Sequence, residues 1–392
     1  MQLRARTFLF AIIGSVCLFS FSACKKDFSQ DKPFAPVYTP TIYIGSQNQF
    51  LYAFDPANGQ KKWEYFAGSN IHSSPLVMGD YVYVTSENGF IHKLDAKTGT
   101  LVKRIAVGGT LQSTPYGEMK GKDGNDYIYI GTGSSNSLIA YDVTADSVEW
   151  TFTTGDNVFS SPTIYDTLVV VGSNDGKVYG INKFTGVKGW EFQTGGPVIS
   201  SPTVNAAGYV YVGSNDYNLY CLHVVDGTQK WQFATNGLVQ SSPISYGGNA
   251  IFGSNDGNIY CVDTATAIAR WKVKTSDRVN SSPTFWTKQD ESSSVQVVLV
   301  GSYDYKMYAI NILDGSIRWS FPTKAIITSS PLVFNDKVYF GSFDKYLYCA
   351  RPDNGDLIWK QNINGLIECS PAVDNLNKKS IYTSSISGNS IY

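Results

Sequence analysis

Short apolar runs alternate with polar punctuation along almost the whole chain. From Ser160 to Gln193 it reads SSPTIY, LVVVGSNDG, KVYGIN and KFTGVKGWEFQ, so β-branched and aromatic stretches are separated by Gly, Asn and Asp clusters. No stretch keeps a helical period, and each is therefore a strand. Asn174-Asp175-Gly176 joins two of them directly, and Asn or Asp before Gly supplies the positive φ of a tight hairpin. The recurring Asp175, Asp216, Asp256, Asp304 and Asp344 are read as caps for turn amides rather than as a metal ring.

The pattern is a repeat. Ser-Ser-Pro or a close variant returns eight times, with prolines at Pro75, Pro115, Pro162, Pro202, Pro243, Pro283, Pro331 and Pro371, at intervals of 40, 47, 40, 41, 40, 48 and 40 residues. A period of about 40 carrying four short strands predicts an all-β fold, an eight-bladed β-propeller of four-stranded antiparallel blades.

A second element recurs once per unit: AFDPANGQKKW at Ala53 to Trp63, GINKFTGVKGW at Gly180 to Trp190, AINILDGSIRW at Ala309 to Trp319. Seven of the eight tryptophans close it, namely Trp63, Trp150, Trp190, Trp231, Trp271, Trp319 and Trp359. One indole per blade packs on the next blade, and burying it contributes at most about 4 to 6 kcal/mol. These residues are expected to be inter-blade supports. Lys103 stands where the second unit lacks its tryptophan, so that contact is expected to be the weakest.

The pattern small-x-Asp-x-x-x-Gly-x-x-x-Trp resembles the tryptophan-docking motif of the pyrroloquinoline quinone (PQQ) repeat. That repeat is found in eight-bladed quinoprotein dehydrogenases and in the BamB family, the lipoprotein subunit of the outer-membrane β-barrel assembly machinery. The resemblance covers roughly Thr41 to Tyr392 and is specific for the repeat. It leaves enzyme and scaffold both open.

Arg4 and Arg6 precede an apolar run from Phe8 to Phe21, and Phe21-Ser22-Ala23-Cys24 is similar to the lipobox of a bacterial lipoprotein. Residues 1–23 are read as a signal peptide, Cys24 as the lipidated residue, 24–40 as an extended tether with Pro33, Pro36 and Pro40, and 41–392 as the propeller. Lys25 after the lipobox, by resemblance to Gram-negative lipoproteins, points to the outer membrane.

From Cys24 onward 29 Lys and Arg (31 less Arg4 and Arg6) face 32 Asp and Glu, a net charge of −3 with no basic run. That gives no reason to expect nucleic acid. Cys221, Cys261 and Cys349 take the small position before the docking turn, and Cys369 replaces a serine, so no disulfide is expected. His72, His92 and His223 have no metal or general-base spacing, and no Cys-x-x-Cys-His is present. The adjacent cysteines that quinoprotein dehydrogenases show under the cofactor are absent as well. No cofactor is expected, and PQQ with calcium belongs only to an enzyme alternative.

A binding surface is sought where a fixed frame varies. Three residues before each proline stand His72, Gln112, Phe159, Ile199, Gln240, Asn280, Thr328 and Glu368, on the turn into the innermost strand. His72, Gln112, Gln240, Asn280 and Glu368 are the candidates at the channel mouth. Two longer units carry extra residues at 117–126 and 286–294, and there Trp286 reads either as an exposed anchor or as local packing. The two ends supply two strands more than eight blades hold, so they share one blade and leave either Ile42–Phe54 or Ile381–Tyr392 redundant.

The leading reading is a non-enzymatic, lipid-anchored propeller in the cell envelope, with an envelope protein as partner and, on the resemblance, the β-barrel assembly machinery. A divergent PQQ-dependent oxidoreductase and a surface module binding glycan or another small ligand are the alternatives.

Overall fold

A computed structural model of the protein describes residues 39–121, 123–289, 294–375 and 379–381. Cys24 and the tether up to residue 38 lie outside them. The described residues contain strands and turns and no helix, arranged as eight antiparallel sheets. We number the blades along the chain. Blade one begins at Thr41, and blades two to eight span 76–106, 116–153, 163–193, 203–234, 244–274, 284–322 and 332–362.

In blades two to eight four consecutive strands pair in order. The first is short and follows the proline, and first strands of neighbouring blades touch around the axis. The fourth is outermost and alternates exposed with covered side chains, as in Lys188–Gln193. The second and third strands are almost wholly buried, because both of their faces pack on neighbouring blades.

Blade one takes strands from both chain ends, and of the Ile381–Tyr392 pair residues 382–392 lie outside the described residues. Thr41–Gly45, Phe50–Phe54 and Lys61–Phe66 supply its second to fourth strands, and the C-terminal Ala372–Asn375 supplies the first, pairing Thr41 with Asp374 and Tyr43 with Ala372. The extra strand is C-terminal: Lys379–Ile381 pairs with the opposite edge of Ala372–Asn375, making this sheet five-stranded.

The Ser-Ser-Pro frame has a physical reason. The backbone N–H of the second Ser or Thr donates to the hydroxyl of its counterpart in the next blade, from Ser74 to Thr114 through to Ser330, and Ser370 returns the chain of bonds to Ser74. All lie between 2.9 and 3.1 Å. Each blade thereby satisfies the amide of the one before it, and the ring closes on itself.

Each indole N–H crosses to a carbonyl in the third-to-fourth-strand turn of the next blade. Trp63 donates to Ala96, Trp150 to Lys183, Trp190 to Val224, Trp231 to Thr264, Trp271 to Ile312, Trp319 to Pro352 and Trp359 to Pro56, at 2.8 to 3.3 Å. Two positions must be small for the ring to fit. Gly180 lies opposite Trp190 in its own blade, where a Cβ would meet Cε2 at 2.2 Å. Gly227, in the next blade's turn at φ +70°, would place one 2.5 Å from Cε3.

The same small position explains three cysteines. Cys221, Cys261 and Cys349 lie opposite Trp231, Trp271 and Trp359, and with Cys369 they are buried and unpaired. Burial pushes the Cys221, Cys261, Cys349 and Cys369 thiols up to about 12, leaving them inert fillers.

Candidate functional site

The turn into each first strand and the hairpin between second and third strands share one end of the ring. Backbone hydrogen bonds tie them together, as from Glu87 N to Asn70 O, Asn174 N to Asn157 O and Tyr303 N to Arg278 O. An aspartate makes this rim rigid. Asp216 accepts from the N–H of Asn218 in its own turn, from the Tyr220 hydroxyl at 2.7 Å and from Gly195 N–H in the incoming loop at 2.6 Å. Asp175, Asp256, Asp304 and Asp344 bond Tyr179, Tyr260, Tyr308 and Tyr348 in the same way. Burial first, and the adjacent carboxylate second, raise these phenols' pKa. The recurring tyrosines thus hold the rim's turns as well as packing the blades.

On this support the five mouth candidates are all half-buried, and the structure brings four of them into two groups. Glu368 accepts from Gln47 Nε2 at 2.9 Å and pairs with His72 Nδ1 at 2.8 Å, across the junction of the two chain ends. Glu87 lies 3.6 Å from the other imidazole nitrogen and accepts from Asn70. The Glu368 hydrogen bond raises the His72 pKa, burial opposes it, and Glu87 adds to it. Burial alone would raise Glu368; His72 and Gln47 outweigh that and hold it below the usual carboxylate value.

The second group is a run of amides. Asn280 Nδ2 donates to Gln240 Oε1 at 3.0 Å, and Gln240 Nε2 to Asn215 Oδ1 at 3.2 Å. Next to it Arg278 stacks over the Tyr303 ring at 4.5 Å. Gln112 joins neither group. The mouth is therefore acidic on the side of blades eight, one and two, and amide-lined on the side of blades five and six.

Gln47, Glu87, Asn215 and Tyr303 are mouth residues that the reading from the proline frame misses. The signal was present: each occupies the variable place after Gly-Ser or Thr-Ser, as in GSQN, TSEN, GSND and GSYD. No set of three His, Cys, Asp or Glu among the described residues converges on a metal position. Glu368 and Glu87 sit on opposite nitrogens of His72, so this cluster does not fit a calcium ion under a quinone.

Trp286 corrects the exposed-anchor reading. It is 5% exposed, and its indole N–H donates to Asp336 Oδ1 of the next blade at 3.1 Å. The longer arm that carries it, Thr284–Gln289 paired with Ser294–Gly301, lies at the end of the ring away from the mouth. A pocket of about 250 Å³ opens there between blades seven and eight, lined by Trp286, Lys288, Asp336, Lys337, Arg351 and Asp353 among others.

The family model described as outer membrane protein assembly factor BamB matches residues 25–102, 114–203 and 194–392. The chain belongs to this family. A BamB of Burkholderia pseudomallei (strain K96243) is 32% identical over 124 residues, 31% of this chain and 30% of that protein. The chain thus spans less than a third of that relative's length in the match. The crystal structure of BamB from Moraxella catarrhalis superposes with a TM-score of 0.61 at 17% identity, covering 76% of this chain and 90% of that one. The computationally designed Ika8 protein superposes at 0.65 with 13% identity, covering 79% and 95%. A natural assembly factor and a designed protein share this architecture, so at these identities the likeness speaks for fold alone.

Proposed function

We propose that the chain is a non-enzymatic, lipid-anchored propeller scaffold that presents its channel-mouth loops to a protein of the outer-membrane assembly apparatus. The observation that carries this reading is the family match over nearly the whole propeller. The geometry supports it: variable side chains stand on a rim that repeated Asp–Tyr pairs and a closed ring of hydroxyls hold rigid. The anchor rests on Cys24 in Phe21-Ser22-Ala23-Cys24, and export to the outer membrane rests on the same segment.

Photo-crosslinking in the native cell envelope tests it, with the probe in turn at Gln112 and Gln240 on the mouth and at Arg351 on the opposite face. A barrel-assembly protein captured from the mouth supports the scaffold. Protein adducts from neither face would sink it.

A further inference from the structure

The pocket between blades seven and eight is built by departures from the repeat. In blades four, five, six and eight the first strand has two or three residues; in blade seven it has six and pairs out to Gln289 and Ser294. That extension carries Trp286, which forms one wall, and Lys288.

Arg351 is the second departure. Its place in the third-to-fourth-strand turn is held in six of the other seven blades by Asp55, Asp95, Asp142, Asn182, Asp263 and Asn311, each of which accepts a turn N–H two residues on, and in blade five by His223. An arginine has no acceptor and forfeits that cap. Among the described residues its exposed guanidinium makes no side-chain hydrogen bond or ion pair. A locally unfavourable residue at a repeated position marks use rather than scaffold.

Lys337 is the third. It begins the second strand where other blades place Tyr81, Tyr127, Leu168, Tyr209 and Asn249, and its Nζ donates to Pro56 O of blade one at 3.2 Å. Lys288, Lys337 and Arg351 thus meet Asp336 and Asp353 around one cavity, and Asp336 is engaged by the Trp286 indole. Among the described lining residues three cations face two carboxylates, a formal excess of one positive charge.

We propose that this pocket takes a single carboxylate presented by a protein partner, an aspartate or glutamate side chain seated beside Trp286 and held by the Arg351 fork. One excess positive charge matches a carboxylate and falls short of a phosphate group, which carries close to two negative charges. The planar guanidinium suits a carboxylate in two parallel hydrogen bonds. The assignment rests on the scaffold reading above for the source of that carboxylate.

The test uses the intact chain in detergent with ¹⁵N-labelled tryptophan, the Trp286 indole signal being the one lost in Trp286→Phe. Acetyl-Gly-Glu-Gly-amide should shift that signal, its Gln analogue and inorganic phosphate at least about tenfold more weakly. Arg351→Asn, which restores the cap that six other blades carry, should weaken the Glu peptide by at least about tenfold while Tm does not fall. Equal shifts by Glu and Gln peptides, tighter binding of phosphate, no shift, or an Arg351→Asn chain that melts lower would each overturn the assignment. Crosslinking from the mouth would be untouched by such a failure, so the two readings fall separately.

Discussion

Lys103 of blade two forms an ion pair with Asp146 of blade three at the point where six of the other seven blades stack a tryptophan on a glycine. The substitution is coupled on three sides. Lys103 replaces the indole, Asp146 at φ +60° replaces the turn glycine, and Lys93 replaces the small residue opposite. Lys93 is tolerated because its ammonium lies 4.0 Å from the centre of the Tyr81 ring. An exposed pair of this kind contributes about 0 to 1 kcal/mol, against several for a buried indole. This seam is the weak one.

Lys103→Trp alone should therefore stabilise little, since Asp146 keeps a Cβ and a carboxylate where the indole would lie. The triple change Lys93→Ala, Lys103→Trp and Asp146→Gly should raise Tm by several degrees. Thermal unfolding of the single and triple variants decides it, and additive single effects would refute the coupling.

Blades five and six give a reciprocal pair. Gly227→Ala drives a Cβ to 2.5 Å from Trp190 Cε3 at φ +70°, so it should cost on the order of 1 to 3 kcal/mol. Ala267 already occupies the corresponding place against Trp231, at φ +58°. Ala267→Gly should relieve that strain, giving a Tm equal to or above the parent's. Urea unfolding midpoints check both signs, and a harmless Gly227→Ala would mean that the indole has room to shift.

Much of this architecture was legible because each repeat carries its own frame. Pro75 to Pro371 fixed the number of blades, and the tryptophans fixed the third-to-fourth-strand turn. What no single period displays is the contact between periods. The Ser74 to Ser370 hydroxyl ring joins residues 40 or more positions apart, and its motif looks like a local turn signal in sequence. The mouth was half legible: His72 and Glu368 stood out in the proline frame, whereas Glu87 and Asn215 varied inside a Gly-Ser or Thr-Ser frame read only as a hairpin. Trp286 stayed open between anchor and packing for a related reason. An aromatic residue in an extra-long loop looks exposed until Asp336 of the neighbouring blade is seen to receive it.

The His72–Glu368 pair gives the junction of the chain ends a pH dependence. His72 is raised from its ordinary value of 6.5 through its bond to Glu368, so its stabilisation is complete below 6.5 and fades as pH rises through the folded value. Glu368 is held below 4.5 by His72 and Gln47 against burial, so its share is present above 4.5 and fades as pH falls through the folded value. Both contributions coexist between about pH 4.5 and 6.5. The Tm gap between parent and His72→Gln should be widest near pH 5.5 and shrink at pH 8.5, because the neutral imidazole still bonds but no longer pairs by charge. A gap of one size at both values would deny the ion pair.

Ring closure separates two C-terminal truncations. A chain ending at Asn375 keeps Ala372–Asn375 and with it the pairing to Thr41–Tyr43 and the Ser370–Ser74 bond. It loses the fifth strand, which completes no blade, so its Tm should stay close to the parent's. A chain ending at Glu368 loses the first strand of blade one, exposing the edge of Thr41–Gly45 and leaving the Ser330 amide and the Ser74 hydroxyl without their ring partners. Its propeller should open at the junction of blades eight and one, giving a lower, broader melt and early proteolytic cleavage in blade one. Equal melting of the two truncations would show that the hydroxyl ring and the shared blade contribute nothing measurable, and that neighbouring-blade packing alone keeps the propeller closed.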